Sequence, residues 1–317
     1  MRNWIVIGLI LLVIGLIGAF GTVGASGDYS FGTEKVEREQ AVSAAGIRAI
    51  ELKTGSVDVK IVPGEGTEAK ASLTGRASKR YLAKLELKLE KDGDTLKVGF
   101  QDHAGFRFGF NILNLNLKLE LPKQAYERLT MSTGSGDIAV DGVRVDTAEL
   151  KGGSGDVDIS RVQAKALSVS IGSGNLHFAD VTAEDALTVK AGSGDVTVSG
   201  AQAKLVNVDV KSGDVDLADA DAELEVRTGS GDITAEQRTL NRPMTLRTGS
   251  GDVGILTDEQ PVDAEIAFSS GSGDFDNDWD GAKGSMDDDG VSRLVFGSGS
   301  VRAQVHTGSG DLDVGRR

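Results

Sequence analysis

The heptapeptide RTGSGDI, residues 227–233, decides how this chain is read, because the chain keeps rewriting it. Near-copies end at Ile138 (STGSGDI), Val157 (GGSGDV), Val196 (AGSGDV), Val215 (KSGDV), Val253 (RTGSGDV), Phe275 (GSGDF) and Leu312 (TGSGDL). The acidic position of successive turns falls at Asp137, Asp156, Asn175, Asp195, Asp214, Asp232, Asp252 and Asp274, at intervals of 19, 19, 20, 19, 18, 20 and 22 residues. A degenerate GSGS follows at 297–300, and the series ends at Asp311. A fixed period near 20 residues marks a stacked repeat architecture.

Within each period apolar residues alternate with polar ones. LSVSIGSGNLHF (167–178) places Leu167, Val169, Ile171, Leu176 and Phe178 on one face, and VNVDVKSGDVDL (206–217) repeats the arrangement. Such alternation predicts strands with one buried face. A unit of two or three such strands cannot close a core alone, but it can when stacked on its neighbours. The expected fold is therefore all-β, a parallel, β-helix-like solenoid of ~19–20-residue coils. About nine coils at ~4.8 Å each predict a rod of roughly 45 Å. An antiparallel stack of hairpins, with GSGD as the hairpin loop, is the alternative.

The totals agree with many short strands and tight turns: 43 glycines, 4 prolines and 5% aromatics in 317 residues. A net charge of −14 repels polyanionic nucleic acid. Without cysteine there are no disulfides, zinc–thiolate sites or thiol catalysis.

Upstream of the repeats, Trp4 to Ala25 is a run of 22 uncharged residues, long enough to cross a ~30 Å hydrocarbon core as a helix. Arg2 before it and acidic sequence after it predict a single-pass membrane anchor, with everything C-terminal outside the cell. The predicted layout is residues 1–25 as transmembrane anchor or uncleaved signal and 26–45 as a polar tether. Residues 46–125 form an irregular β cap, and 126–317 the GSGD solenoid. The VGA at 23–25 offers a signal-cleavage site as the alternative. In the cap region, KTGSVDVKIV (53–62) reads as a damaged first repeat, and LNLNLKLEL (113–121) alternates strictly. KLELKLEKDGDTLKVGF (84–100) reads as a hairpin turning at Asp92-Gly93 in a type I′ turn. GFQDHAGFRFGF (99–110) gathers Phe100, Phe106, Phe108 and Phe110 as cap packing or as an aromatic edge for a partner.

Taken together, the uncharged N-terminal segment, the irregular β opening and the serial TGSGD turns resemble the bacterial family of β-strand-repeat proteins labelled "putative adhesins". Membrane-anchored LiaG-like proteins of Gram-positive envelope-stress operons belong to it. The likeness covers roughly residues 1–317. It implies an envelope location and a β-repeat fold, and it brings no catalytic residue.

The recurring aspartates, with Asn175 and the final Asp311, are expected to hold their own turns by bonding back to turn amides. Lys151, Lys190, Arg227 and Arg247, each five residues before its aspartate, are expected to offset the charge of the stack. A calcium loop competes for attention where the repeat breaks. DNDWDGAKGSMD (276–287) fits D-x-D-x-D-G with a carboxylate at position twelve, so Asp276, Asp278, Asp280 and Asp287 are candidate Ca²⁺ ligands. A solvated acidic insertion is the blander account.

An enzyme would need one distinctive constellation, yet the carboxylates sit at repeated positions, and no H-E-x-x-H, G-x-S-x-G or phosphate-cradling loop is present. His177 alternates with Leu176 and Phe178 and should face solvent; Trp279 in the acidic loop is the exceptional aromatic for sugar stacking. The expected function is a non-enzymatic, membrane-anchored, adhesin-like interaction module. Cell-wall polymer, a surface protein or a second copy are the expected partners. A calcium-responsive binding module, an envelope-stress accessory protein and a polysaccharide-active β-helix enzyme are the alternatives.

Overall fold

A computed structural model describes residues 33–78, 85–102, 113–286 and 290–317. The apolar run at 4–25 and its expected membrane span lie outside the described residues, as do Phe106, Phe108 and Phe110. Among the described residues no helix is long and apolar enough to cross a membrane.

The opening region forms β1 (Thr33–Ser43), β2 (Ala49–Ser56), β3 (Asp58–Gly64), β4 (Glu68–Ser78), β5 (Leu85–Asp92), β6 (Thr95–Asp102) and β7 (Leu113–Pro122). The repeats follow as pairs of one longer and one shorter strand: β8 (Ala125–Ser135) with β9 (Ile138–Asp141), β10 (Arg144–Ser154) with β11 (Val157–Ser160), β12 (Gln163–Ser173) with β13 (Leu176–Ala179), and β14 (Thr182–Ser193) with β15 (Val196–Ser199). β16 (Gln202–Ser212) with β17 (Val215–Ala218), β18 (Asp221–Thr228) with β19 (Ile233–Gln237), and β20 (Met244–Ser250) with β21 (Val253–Thr257) continue them. The chain closes with β22 (Ala264–Ser272), β23 (Phe275–Asn277), β24 (Lys283–Met286), β25 (Ser292–Phe296), β26 (Val301–Ser309) and β27 (Leu312–Arg316).

Each coil gives its long strand to a 14-stranded sheet and its short strand to a 13-stranded one. Strands of neighbouring coils pair in parallel, so the stack is a parallel solenoid and not a pile of hairpins. Near-equal coil lengths, with irregularities that absorb the differences early in the long strands, put equivalent residues in register: Leu150, Val169, Val189, Val208, Val226 and Leu246 form one continuous row. All six are at most 2% exposed. Burying each such side chain contributes about 1.5–3 kcal/mol, which a single coil could not collect.

Eleven coils stack, giving a rod of roughly 50 Å at ~4.8 Å per coil. The two beyond the expected nine come from the opening region: β2 with β3, the "damaged" repeat, and β6 with β7. Spatial order departs from chain order at both ends. The β2/β3 coil lies inside the β6/β7 coil, and the β26/β27 coil lies between β20/β21 and the outermost β22/β23. Antiparallel strands then close the ladder, β5, β4 and β1 at one end and β25 and β24 at the other.

Three expectations are corrected here. Residues 33–43, read as tether, form β1, which pairs antiparallel along the whole of β4. Its charged sequence reads as a linker because one face and one edge of a terminal strand stay in water; buried Val36 and half-buried Val42 mark it as packed. Gln40 completes the cap: its Nε2 donates to Leu87 O at 2.9 Å and its Oε1 accepts Leu89 N–H at 3.0 Å, so one amide satisfies part of the open edge of β5. The hairpin of β5 and β6 is present, but Asp92 pairs with Thr95, so Gly93-Asp94 make the turn. Positive φ occurs there at Gly93 alone (+62°), which suits type II′ and not I′. The GSGS at 297–300 is no repeat corner; it is the bend that returns the chain from β25 to β26.

The two corners of a coil differ in what they demand. At the GSGD corner, a Cβ on Gly194 (φ +116°) would lie 2.1 Å from the carbonyl oxygen of Gly174 in the coil before. The opposite corner takes φ of +53° at Asp180 without any such obstruction. Gly194→Ala should therefore cost about 3 kcal/mol or more. Asp180→Gly should stay within about 0.5 kcal/mol, left-handed strain and glycine entropy offsetting one another. Equal losses in urea titrations of the two variants would refute this distinction.

Candidate functional site

The aspartates of the corners do not bond back to their own turns. Each carboxylate reaches the next coil. Asp58 Oδ1 accepts the N–H of Asp137 at 3.0 Å, Asp137 Oδ1 that of Asp156 at 2.9 Å, and Asp156 Oδ1 that of Asn175 at 2.8 Å. The ladder runs on through Asp195, Asp214, Asp232 and Asp252. It then passes to Asp311 and only afterwards to Asp274, following spatial and not chain order. The expected turn-holding role thus becomes a coil-joining one, because parallel stacking brings a neighbour's amide closer than the residue's own. Asn175 serves as well as aspartate, its Oδ1 accepting Asp195 N–H at 3.1 Å. The basic row does not neutralise the ladder. Lys151 pairs with Glu149, and Lys190, Arg227 and Arg247 form no ion pair among the described residues. They end the long strands, on the outer face of the other sheet.

Beside the ladder, the outer face of the short-strand sheet holds a trough of about 810 Å³ near the N-terminal cap. Two in-register rows floor it. One carries Ser72, Lys118, Lys60, Ala139, Asp158, His177 and Thr197. The other carries Thr74, Asn116 and Asp58, then the ladder residues to Asp195. Seven strands at ~4.8 Å make it roughly 30 Å long. His177 faces outward, as its alternation predicts. Lys118 is tied to Glu120 by an ion pair, whereas Lys60 forms none among the described residues. Hydroxyls, amides, carboxylates and amines at coil spacing suit an extended polar chain.

At the far end, the candidate calcium ligands are dispersed. Asp276 lies in β23 with Asp313 as its register partner. Asp278 N–H donates to Val314 O at 2.9 Å, and the Asp280 carbonyl accepts from Gln260 Nε2 at 2.5 Å. Asp287 lies outside the described residues. Among the described residues, no three His, Cys, Asp or Glu side chains are grouped to hold a metal ion. Trp279 is no sugar platform. It is 7% exposed, donates through Nε1 to Gly315 O at 3.2 Å, and carries the Arg316 guanidinium 4.8 Å from its ring centroid. It plugs the open end of the core. Burial, then the charge of Asp276, pushes the Asp313 carboxyl above its ordinary value. Burial, then Asp214, does the same to Asp216.

One residue no motif had singled out is Asp263. Its carboxylate accepts from the N–H and Oγ of Ser298, both at 2.8 Å, and from the N–H and Oγ of Ser300 at 3.2 and 2.6 Å. The Ser300 hydroxyl foremost, then that of Ser298, hold it well below the usual carboxylate range. Asp263 clasps the return bend and so fixes the inserted coil. The only signal in sequence is a GSGS that departs from the repeat.

Residues 47–315 match the Toastrack DUF4097 family. The chain belongs to that family. A solved "putative lipid binding protein" from Parabacteroides distasonis shares the fold at a TM-score of 0.50 and 16% identity, over 87% of this chain and 96% of that one. A "putative adhesin" from Bacteroides fragilis is similar at 15% identity and a TM-score of 0.46, over 89% of this chain and 98% of its own. No curated protein matches the chain.

Two outcomes follow for this Toastrack chain. Asp195→Ala should lose about 1 kcal/mol by stranding the Asp214 amide, while Asp195→Asn should be near neutral because Oδ1 still accepts. Equal losses in denaturant unfolding would show that charge, not acceptance, matters. The depressed Asp263 contributes stability that is fully present above the ordinary carboxylate range near pH 4 and is lost as pH falls through its lowered value. Protection factors for hydrogen exchange across 292–309, corrected for intrinsic rates, should fall in strong acid, and Asp263→Ala should show the reduced protection already at pH 7.

Proposed function

We propose that this protein is a non-enzymatic, adhesin-like interaction module of the bacterial envelope, held at the membrane by residues 1–25 with its solenoid outside the cell. The supporting observation is the trough. Its two rows offer hydrogen-bonding groups from Ser72 to Thr197, repeated at a coil spacing that suits a long, regular polar chain. Cell-wall polymer is the partner with that form. The uncharged run Trp4–Ala25 and the positive Arg2 support the location. Rigidity supports display, since neighbouring coils are bonded through both sheets and, from β2/β3 to β22/β23, through the aspartate ladder.

Ala139 is in the middle of the floor, and a bulky residue there should fill the trough. Ala139→Trp is expected to reduce adsorption of the protein to purified cell walls at least tenfold. Thr147→Trp, on the outer face of the opposite sheet, should adsorb like the parent. If Ala139→Trp also adsorbs normally, the trough is not the binding face. A C-terminal epitope tag inaccessible to antibody on intact cells would overturn the location.

A further inference from the structure

The basic row of the long-strand sheet is left without a structural task. The aspartate ladder is satisfied by backbone amides, so these cations do not serve it. Elsewhere on exposed faces, a cation commonly pairs with an acid two residues away on the same strand: Lys35 with Glu37, Lys53 with Glu51, Lys118 with Glu120, Lys151 with Glu149. Further along the same row that partner is withdrawn. Two residues before Lys190 and Arg247 stand Thr188 and Thr245. Before Arg227 stands Glu225, but its carboxylate is engaged by Asn207 Nδ2 at 2.9 Å.

The result is a basic side chain in each coil from β14 to β20, although in the register row itself Asp209 stands between Lys190 and Arg227. Arg227 faces Arg247 across the parallel pair of β18 and β20, and Arg247 faces His306 on β26, whose Nδ1 contacts Ser269 Oγ at 2.9 Å. Like charges directly opposed on neighbouring strands destabilise a sheet. A chain with 48 acidic and 34 basic side chains has no shortage of partners for them.

Lys211 fits the same pattern. Asp209 interrupts the row between Lys190 and Arg227. In that coil a lysine appears two residues on, at a position that is glycine in the flanking coils. A Cβ at that position would meet a neighbouring carbonyl oxygen at 2.3 Å for Gly192 and 2.5 Å for Gly229, the latter being that of Lys211 itself. β18 stops at Thr228, short of the serine reached by β16 and β20, while Gly229 N–H still bonds Val210 O at 3.0 Å. Lys211 thus keeps a cation in every coil from β14 to β20. Beside the line, the remaining glycines leave a bare backbone shelf.

We propose that this face, from Lys190 to His306, binds a linear polyanion, a chain bearing a carboxylate or phosphate on each unit and lying along the solenoid axis. Cations at ~4.8 Å intervals match successive or alternate charges of such a chain. The proposal goes beyond the trough and does not depend on it, since the two faces lie on opposite sheets.

The test is calorimetric titration of the full chain with polygalacturonate and with inorganic polyphosphate at low ionic strength. Vesicles of phosphatidylcholine with phosphatidylglycerol form a third arm. Binding to one or both polymers is expected, weakening as salt screens the contact. Arg227→Gln/Arg247→Gln should weaken it at least tenfold, with the Tm unchanged or raised because opposed charges are removed. Lys211→Gly should weaken binding and raise the Tm together, whereas Lys35→Gln, in an exposed pair on the other sheet, should change neither. The proposal fails if the parent binds neither polymer, if the double variant binds as the parent does, or if Lys211→Gly lowers the Tm. Tighter binding to vesicles than to either polymer would assign the face to a membrane surface instead. Loss of wall adsorption in Ala139→Trp with polyanion binding intact would separate this site from the trough.

Discussion

Everything in this molecule rests on how closely two coils approach at the GSGD corner. There the carbonyl oxygen of one coil occupies the space that a Cβ of the next would need, 2.1 Å away at Gly194. A contact that tight, repeated coil after coil, fixes both the coil length and the register, since a slip of one residue would put a side chain into a carbonyl and turn the apolar face outward. The aspartate follows from the same approach. Once the corners are stacked, a carboxylate is in reach of the amide below it, and the bond recurs from Asp58 to Asp274. Bringing carboxylates to ~4.8 Å costs roughly 1 kcal/mol per neighbouring pair in water. A hydrogen bond to a charged group contributes about 1.5–3 kcal/mol. The ladder is therefore favourable without any cation beside it, and Asn175 shows that one rung can do without the charge.

Parallel stacking creates its own hazard, because a regular solenoid ends in open strand edges that would template further coils or other chains. Both ends are closed in the same way here. The chain crosses past one coil position, lays antiparallel strands on the outermost coil, and fills the inner position from a distant part of the sequence. An end built so cannot fray by simple peeling, because the terminal coil in space is not the terminal coil in sequence. The Gln40 amide on β5 and the Trp279 plug then cover what the strands leave open.

This division explains what was readable in advance. The period and the two-faced strands were evident because each coil satisfies the same local constraint, and RTGSGDI states it in seven residues; parallel stacking was the expectation, but a stack of hairpins would show the same alternation. The ends were not. The 264–272 and 301–309 segments obey the same pattern, and no local feature of either says which lies inside. That order is set by pairing with β25 and by the Asp263 clasp, both long-range. β1 was hidden for the opposite reason, since a terminal strand needs only a sparse apolar face, here Val36 with Val42, to be held. The aspartates were recognised as structural, but their partners were misassigned, because an Asx turn and a coil-to-coil bond demand the same residue. Trp279 in an acidic loop suggests a ligand platform until the open end of the core is seen beneath it.

The distinction between what the fold requires and what it merely tolerates also locates function. Residues repeated in every coil are accounted for by stacking, so their abundance carries no information about ligands. Information lies where the repeat is broken at a cost. Lys211 stands where the flanking coils carry Gly192 and Gly229, at each of which a carbonyl oxygen occupies the place of a Cβ. Thr188 and Thr245 stand where an acid would have quieted a neighbouring cation. Asp263 departs in the other sense, its broken repeat explained wholly by the return bend it secures. Only the former kind of departure remains without a structural return. In a chain this acidic, Arg227 set directly against Arg247, with a further cation in each coil back to Lys190, is the feature of this glycine-edged face that folding alone does not explain.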